Sequence, residues 1–236
     1  MNSLSKLPQV FLAIVATAVF IFLGTHSTKK ATQIEEPAKK HVVTDIPVIT
    51  SPEAMALPDF ASYADVKEKK LAFFNYLLPL VKYSNQLVQV DRERFKRVQS
   101  DPINLKSPEA KKITRRLNSR YRVVVERFPD LSFLKELDKR IGQIPESLAL
   151  AQAAKESGWG TSRFSKQANN LFGQWCFTEG CGIIPARRSK GMTHEIQKFD
   201  NVGDAIEAYV KNLNTHRAYS SLREKRYSLL KEGKSP

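Results

Sequence analysis

The acid of greatest chemical interest is Glu156, which stands near the end of a segment rich in small residues, PESLALAQAAKESGWG. Pro145 is typical of a helix start, because its missing N–H would lack a partner there anyway. Gly158 follows the last strong helix former, where a left-handed cap suits a residue without Cβ. We therefore expect Glu156 in the last turn, near the negative end of the helix dipole and partly out of water. Both conditions favour the protonated acid, which is the form that donates a proton to a leaving sugar oxygen.

The residues that follow this acid are of the types found in carbohydrate sites. Trp159 and Trp175 carry rings that can stack on a sugar, and Phe172 can shape a cleft or belong to the core. The pair Asn169-Asn170 either bonds sugar hydroxyls or builds a turn. The predicted substrate-binding set is Trp159, Asn170, Phe172 and Trp175.

The run AQAAKESGWGTSRFSKQANNLFG resembles the glucosaminidase domain of bacterial cell-wall hydrolases, in which an AQAxxESGWGxS…NNLFG pattern surrounds the catalytic glutamate. The similarity continues more loosely into AIEAYVKNLNTHRAY and covers about residues 141–220. The upstream DVKEKKLAFFNYLLPLV and the insert WCFTEGCG are similar, more narrowly, to bacterial Bax-type proteins. The resemblance implies that Glu156 is the general acid, that peptidoglycan glycan strands are the substrate, and that the fold is lysozyme-like. It also implies that a tyrosine of the segment AIEAYVKNLNTHRAY, Tyr219 or Tyr209, lies near the reacting centre.

A second carboxylate is the weaker part of the match. Glycosidases place a second acid roughly 5–5.5 Å from the first for retention of configuration, or 6.5–9.5 Å away for inversion. Relatives often supply it from the hairpin, where this chain has Ile184-Pro-Ala-Arg-Arg188 and no acid. Glu179 and Glu195 are the candidates nearby, and neither is assigned by a motif. The N-acetyl group of the substrate can also attack the anomeric carbon, so a mechanism with a single acid remains open.

Two cysteines, Cys176 and Cys181, bound a short segment of turn-forming residues. This spacing favours a disulfide at a hairpin tip in an oxidising compartment; a pair of free thiols is the next alternative. Zinc would need two further ligands, and the four histidines show no ligand spacing. We therefore predict no metal and no cofactor.

The N-terminal part of the chain has the pattern of an exported protein. An apolar run within residues 10–24 predicts either a cleaved signal or a membrane anchor, and residues 1–26 are assigned to it. Residues 27–58 contain scattered prolines and charges without periodicity and are predicted to be a flexible linker. A helical lead-in over 59–128 and a glucosaminidase domain over 129–236 complete the predicted organisation, with a periplasmic location and contact with the inner membrane.

The net charge is +14, from 38 basic and 24 acidic residues. Such a charge can attract nucleic acid, anionic lipid or the carboxylates of peptidoglycan peptides. The sequence contains no zinc-finger spacing, helix-turn-helix signal or aromatic RNA-binding motif, so nucleic acid is excluded as a partner. A solvated basic surface in an anionic envelope is the interpretation that we adopt.

Periodicity predicts an α+β fold that is mostly helical. Helices are expected over about 59–100, interrupted or kinked at Pro79, then over 110–128 behind the start signal Ser107-Pro108-Glu109, and over 131–141. The cluster Phe73, Phe74, Tyr76, Leu77 is assigned to the core rather than to a sugar platform. A small antiparallel hairpin or three-stranded flap is expected around the cysteines, and an amphipathic helix over 204–213. Few residues follow Tyr219, so we expect a shortened C-terminal region.

The sequence thus predicts an exported peptidoglycan hydrolase that cleaves the β-1,4 linkage after N-acetylglucosamine. A lytic transglycosylase also needs one protonated glutamate in a lysozyme-like fold and makes an anhydro-sugar end. A non-catalytic wall-binding or scaffold protein of the same fold is the third hypothesis, and the missing hairpin acid permits it.

Overall fold

The computed structural model describes residues 56–100, 105–124 and 132–234. The predicted export segment and most of the predicted linker lie outside these residues. Within them the chain is mostly helical with one small antiparallel sheet, which confirms the predicted fold class. No helix in the described ranges has both the length and the apolar character needed to cross a bilayer.

The predicted helices occur in the expected order with some changes in their bounds, and two further helices, at Arg163–Ala168 and Ser220–Lys231, were not predicted. The helices are α1 (Val66–Ser100), α2 (Pro108–Tyr121), α3 (Ser132–Arg140), α4 (Glu146–Ser157), α5 (Arg163–Ala168), α6 (Val202–Thr215) and α7 (Ser220–Lys231), with 3-10 turns at Phe60–Ser62 and Arg217–Tyr219.

Helix α1 is the central support of the molecule. It packs against α2, α4 and α6, and it continues through Pro79 as one helix. A proline removes one backbone hydrogen bond, and here the burial of a continuous apolar face compensates for that loss. Phe73 and Leu77 are fully buried and Tyr76 is nearly so, which confirms that this cluster belongs to the core.

Local capping sets several helix ends. The Ser107 hydroxyl accepts a hydrogen bond from the Ala110 N–H at the start of α2, as the sequence predicts. The left-handed residue Arg122 ends this helix well before residue 128. At the start of α6, Asn201 Oδ1 accepts a hydrogen bond from the Asp204 backbone N–H, and Asn201 Nδ2 donates to the Asp204 carboxylate.

Helix α7 follows Tyr219, where the sequence pattern predicted little structure. Its Arg226 is buried and donates to the carbonyl oxygens of Lys139, Arg140, Gly142 and Gln143 at the C-terminal end of α3. Burial lowers the pKa of this guanidinium to about 10. The side chain therefore fastens α7 to the loop that leads into α4.

The sheet has strands β1 (Trp175–Cys176), β2 (Gly182–Ile183) and β3 (Glu195–Gln197) in the order β1-β3-β2, both pairs antiparallel. We call residues 174–197 the flap. Its strands are only two or three residues long and contact α5 at the side of the helical body. A Cβ on Gly182 would lie 1.9 Å from the Ile196 carbonyl oxygen, so this position accepts only glycine.

Candidate active site

The candidate acid lies in the last turn of α4 and is exposed. Ala149, Ala153 and Ser157 form the buried face of the helix, whereas Ala151 is exposed. The predicted helix, with the left-handed cap at Gly158, is confirmed. The expectation that Glu156 is partly out of water is wrong, because its side chain is exposed. Glu156 follows Ala149 by seven residues and lies within about 20° of it around the helix axis, but it stands in the last turn, where it is exposed.

The motif ESGWG builds a tight turn directly after this acid. Gly158, Trp159 and Gly160 have successive φ values of 57°, 61° and 76°. The buried Ser157 hydroxyl donates to the Ala153 carbonyl and accepts from the Gly160 N–H. Glycine tolerates this left-handed backbone, but a bulky residue such as Trp159 needs compensating contacts.

Those compensating contacts come from α1. The Trp159 ring packs edge-to-face on Phe73 and Phe74, with centroids 5.6 and 5.3 Å away. The ammonium of Lys70 lies 5.0 Å from the Trp159 ring centroid. Trp159 therefore anchors the turn to the helical lead-in, and its described ring contacts are all with α1.

Gln152 and Tyr209 join α4 to α6 beside the candidate acid. Gln152 lies one turn before Glu156, and its Oε1 accepts a hydrogen bond from the Tyr209 hydroxyl. The Tyr209 ring is stacked on Phe172, with centroids 4.1 Å apart and planes 9° from parallel. This arrangement fixes the amide, the phenol and the Phe172 ring relative to one another.

Tyr219 interacts electrostatically with both Glu156 and Tyr209. Burial, and then the nearby negative charge of Glu156, raises the pKa of Tyr219. Burial and the proximity of Tyr219 raise the pKa of Tyr209. Both phenols are therefore neutral at physiological pH, and Tyr219 lies within electrostatic range of Glu156. The Tyr219 hydroxyl makes no hydrogen bond within the described part of the chain, whereas that of Tyr209 is bonded to Gln152.

The asparagine pair builds a turn. The Asn169 amide donates to the carbonyls of Phe199 and Asp200. Asn170 is buried; its amide donates to the carbonyls of Gln174 and Gln197 and accepts from the N–H groups of Phe172 and Gln174. Of the two alternatives that the sequence left open, these contacts support the turn, which connects the flap to the helical body.

The flap exposes two aromatic side chains, Trp175 and Phe177. Trp175 is 52% exposed, and its ring is stacked on the buried His194 with centroids 3.9 Å apart. The stacking holds the indole on the flap surface, where its outer face is open to a sugar ring. No described ring contact joins Trp175 to Glu156 or to the tyrosines.

The two candidate second acids differ sharply. Glu195 is buried, and its two carboxylate oxygens accept hydrogen bonds from the N–H groups of Gly180 and Gly182 at 3.0 and 2.7 Å. Glu179 is exposed and makes no described side-chain hydrogen bond. Glu195 therefore holds the cysteine loop, while the carboxylate of Glu179 is free on it.

Cys176 and Cys181 form a disulfide that closes the same loop. In the part of the chain that the structure describes, the sulfur atoms of these cysteines and a carboxylate oxygen of Glu195 lie within 4.8 Å of one another, close enough to suggest a metal site. A disulfide offers no thiolate, so this cluster does not fit a metal ion.

A cavity of about 400 Å³ opens at the other end of α4. Its lining residues are Lys82, Asn85, Gln86, Gln143, Ile144, Pro145 and Glu146. At a rise of 1.5 Å per residue, ten residues of helix put Glu156 roughly 15 Å from Glu146. The cavity is therefore separate from the candidate acid.

Sequence reasoning did not select Gln152, although it precedes Glu156 by four residues and so shares its helix face. That spacing was the available signal. Its partner Tyr209 is 57 residues away in the chain, and no local pattern predicts such a contact.

Comparisons with known proteins show which family and which relative the chain is similar to. The glucosaminidase family, described as mannosyl-glycoprotein endo-beta-N-acetylglucosaminidase, matches residues 132–234 and supports a function of the glycan-hydrolase type. Protein bax of Escherichia coli (strain K12) is 32% identical over 183 residues, which are 77% of this chain and 64% of that protein, so the chain spans less than two thirds of this relative. No solved structure matches the chain. Residues 132–234 are therefore similar to the glucosaminidase family, and most of the chain is similar to Protein bax.

Proposed function

We propose that the protein is an exported peptidoglycan hydrolase that cleaves the β-1,4 linkage after N-acetylglucosamine, with Glu156 as the general acid. The observation that carries this proposal is an exposed carboxylate in the last turn of α4, within electrostatic range of Tyr219, in a glucosaminidase-family domain. Exposure leaves room for a sugar oxygen to approach the acid. A bound glycan excludes water, which favours the protonated form of a carboxylic acid.

Tyr219 is the tyrosine that we assign to the reacting centre. Its hydroxyl has no hydrogen-bond partner among the described residues, so it is free to face the positive charge of an oxocarbenium-like transition state. The Tyr209 hydroxyl is already bonded to Gln152. We therefore give Tyr209 the role of a support.

For the second acid, the hydrogen bonds of Glu195 support a role in holding the loop rather than in proton transfer. If a carboxylate of the flap takes part, it is Glu179. If none takes part, the N-acetyl group of the substrate attacks the anomeric carbon. The variant Glu179→Gln distinguishes the two routes, because it slows cleavage that uses the Glu179 carboxylate and leaves cleavage that uses the N-acetyl group unchanged.

Trp175 supplies a surface on which the glycan stacks, and Phe172 and the turn at Asn170 shape the cleft. The disulfide supports an oxidising compartment, as expected of a periplasmic protein. We place the reaction in the cell envelope, with residues 10–24 as the signal or inner-membrane anchor.

The test is mass spectrometry of purified peptidoglycan digested with the full-length protein. Wild type, Glu156→Gln and the matched control Glu146→Gln, which alters the acid at the other end of α4, are compared. We expect reducing N-acetylglucosamine ends from wild type and control, and a rate about 10²–10⁴-fold lower for Glu156→Gln.

Other products would redirect the proposal. Anhydro-sugar ends, lost in Glu156→Gln, would identify a lytic transglycosylase that uses the same acid. If no protein made new ends while all three bound peptidoglycan, the fold would serve recognition without catalysis.

A further inference from the structure

Gln152 presents an unused hydrogen-bond donor next to the candidate acid. Residues four apart on a helix lie on one face with their Cβ atoms about 5–6 Å apart, so Gln152 and Glu156 are neighbours. The bond from the Tyr209 hydroxyl to Oε1 fixes the orientation of the amide. Nε2 makes no hydrogen bond with any residue that the structure describes, and it is not among the atoms buried without a partner. The amide N–H₂ is therefore held in place and open to a ligand.

An apolar surface lies beside this donor. Phe172 is half-buried and stacks on the same Tyr209 ring whose hydroxyl holds Gln152. Buried Tyr209 thus fixes both a polar and an apolar group. A ligand group that fits them has a carbonyl oxygen and a small apolar end.

The acetamido group of an N-acetylated sugar has both features. It is attached to the carbon next to the anomeric carbon, so the acetamido carbonyl and the glycosidic oxygen are close together on the same sugar. If Glu156 protonates the glycosidic oxygen, Gln152 on the same helix face therefore lies close to the acetamido group.

We propose that Gln152 is a specificity-determining residue, whose Nε2 donates a hydrogen bond to the acetamido carbonyl of the sugar bound beside Glu156, while Phe172 contacts the methyl group. This inference rests on the proposed function to the extent that the ligand is a glycan of N-acetylated sugars. It adds which group of the sugar is recognised and by which atom.

A purely structural role for Gln152 makes a different prediction. If its amide only supports Tyr209, its loss weakens the action on every glycan to the same extent. If it recognises the acetamido group, its loss weakens only the action on N-acetylated glycan. The ratio between two substrates therefore distinguishes the roles.

The first measurement is kcat/KM of the full-length protein on purified peptidoglycan and on the same material after de-N-acetylation of its glucosamine residues. We expect Gln152→Ala to lose about tenfold on the acetylated substrate, the usual value of one hydrogen bond, and to show no loss relative to wild type on the other. If the acetamido group itself attacks the anomeric carbon, neither protein cleaves the second substrate, and the binding measurement below decides. Gln152→Glu keeps an acceptor for Tyr209 without the donor and should show the same loss of preference. Gln167→Ala, which removes an exposed amide on α5 bonded to Arg163, is the matched control.

The second measurement does not depend on cleavage. Calorimetry in the Glu156→Gln background compares the binding of tetrasaccharides of N-acetylglucosamine and of glucosamine. We expect Gln152→Ala to weaken binding of the acetylated tetrasaccharide about tenfold and to leave binding of the other unchanged.

Equal losses on both ligands, or no loss on the acetylated one, would overturn the assignment of Gln152. Failure of the proposed function has a different signature, since Glu156→Gln would then cleave as fast as wild type or no protein would cleave at all. In either case the calorimetric comparison still decides the role of Gln152.

Discussion

The end of α4 and the flap are held in place by different kinds of force. The turn after Glu156 rests on aromatic packing, with Trp159 against Phe73 and Gly160 beneath Phe60. The flap has strands of two or three residues and depends on discrete fasteners: the disulfide, the two hydrogen bonds of Glu195 and the amide of Asn170. The acid of the first region is free for chemistry, whereas the buried acid of the second is bound within the fold.

This contrast indicates how each region fails. Apolar packing is distributed over many atoms and is sensitive to volume, so steric changes damage the α4 side most. A short sheet held by a few polar contacts opens locally when one of them is lost. Three predictions test the contrast, beginning with the largest expected effect.

Gly160→Ala should destabilise the helical body by about 2–4 kcal/mol, since overpacking adds to backbone strain. A Cβ at this position would lie 2.5 Å from Cδ2 of Phe60, and φ is +76°. Gly173→Ala is the matched control, because φ is +65° but no atom lies within 4 Å of the added Cβ. It should cost about 1 kcal/mol. Chemical denaturation of both variants measures the difference, and equal losses would mean that packing on Phe60 is unimportant.

Glu195→Gln should open the flap without unfolding the helices. The amide replaces one acceptor oxygen by a donor, so one of the bonds from Gly180 and Gly182 is lost, at about 1.5–3 kcal/mol for a bond to a charged group. Hydrogen exchange should accelerate at these two glycines and stay unchanged in α1. Glu179→Gln alters an exposed acid without bonds in the same loop and should change neither. A uniform rise in exchange across the protein would contradict the separation of the two regions.

The pKa of Tyr219 should fall in Glu156→Gln, because the negative charge of Glu156 contributes to raising it. It should stay above the ordinary value, since burial is the larger cause. A neutral phenol favoured by the fold stabilises the protein at pH values below the ordinary pKa, and this contribution is lost as the pH rises through the higher folded value. Ultraviolet titration of phenolate measures the shift. Glu195→Gln should leave it unchanged, and a comparable shift there would show that the flap takes part in the electrostatics of α4.

Features that depend on residues near each other in the chain were predicted from the sequence, and features that depend on distant residues were not. The bounds of α4 and the start of α2 were predicted because proline, glycine and serine act on their immediate neighbours. The hydrogen bond between Gln152 and Tyr209 was not predicted, since it joins distant parts of the chain. Trp159 was assigned to sugar stacking by its type alone, and only the fold reveals that its ring packs on α1.

Helix α7 was missed for a related reason. It carries few apolar residues, and its attachment depends on two buried guanidinium groups, those of Arg223 and Arg226, rather than on an amphipathic pattern. The exposure of Glu156 likewise depends on which turns of α4 are covered by other elements, and periodicity in a stretch of small residues does not specify that.

The turn at Trp159 and Gly160 packs on Phe60 and Phe73. The part of the chain that supports the candidate acid is therefore larger than the region that matches the family. The region that matches the glucosaminidase family begins at residue 132, yet aromatic rings from more than fifty residues upstream support the backbone that follows the acid. A chimaera joined at residue 132 would therefore separate the acid from the aromatic residues that support the turn after it. A chimaera of this protein needs its junction before Phe60.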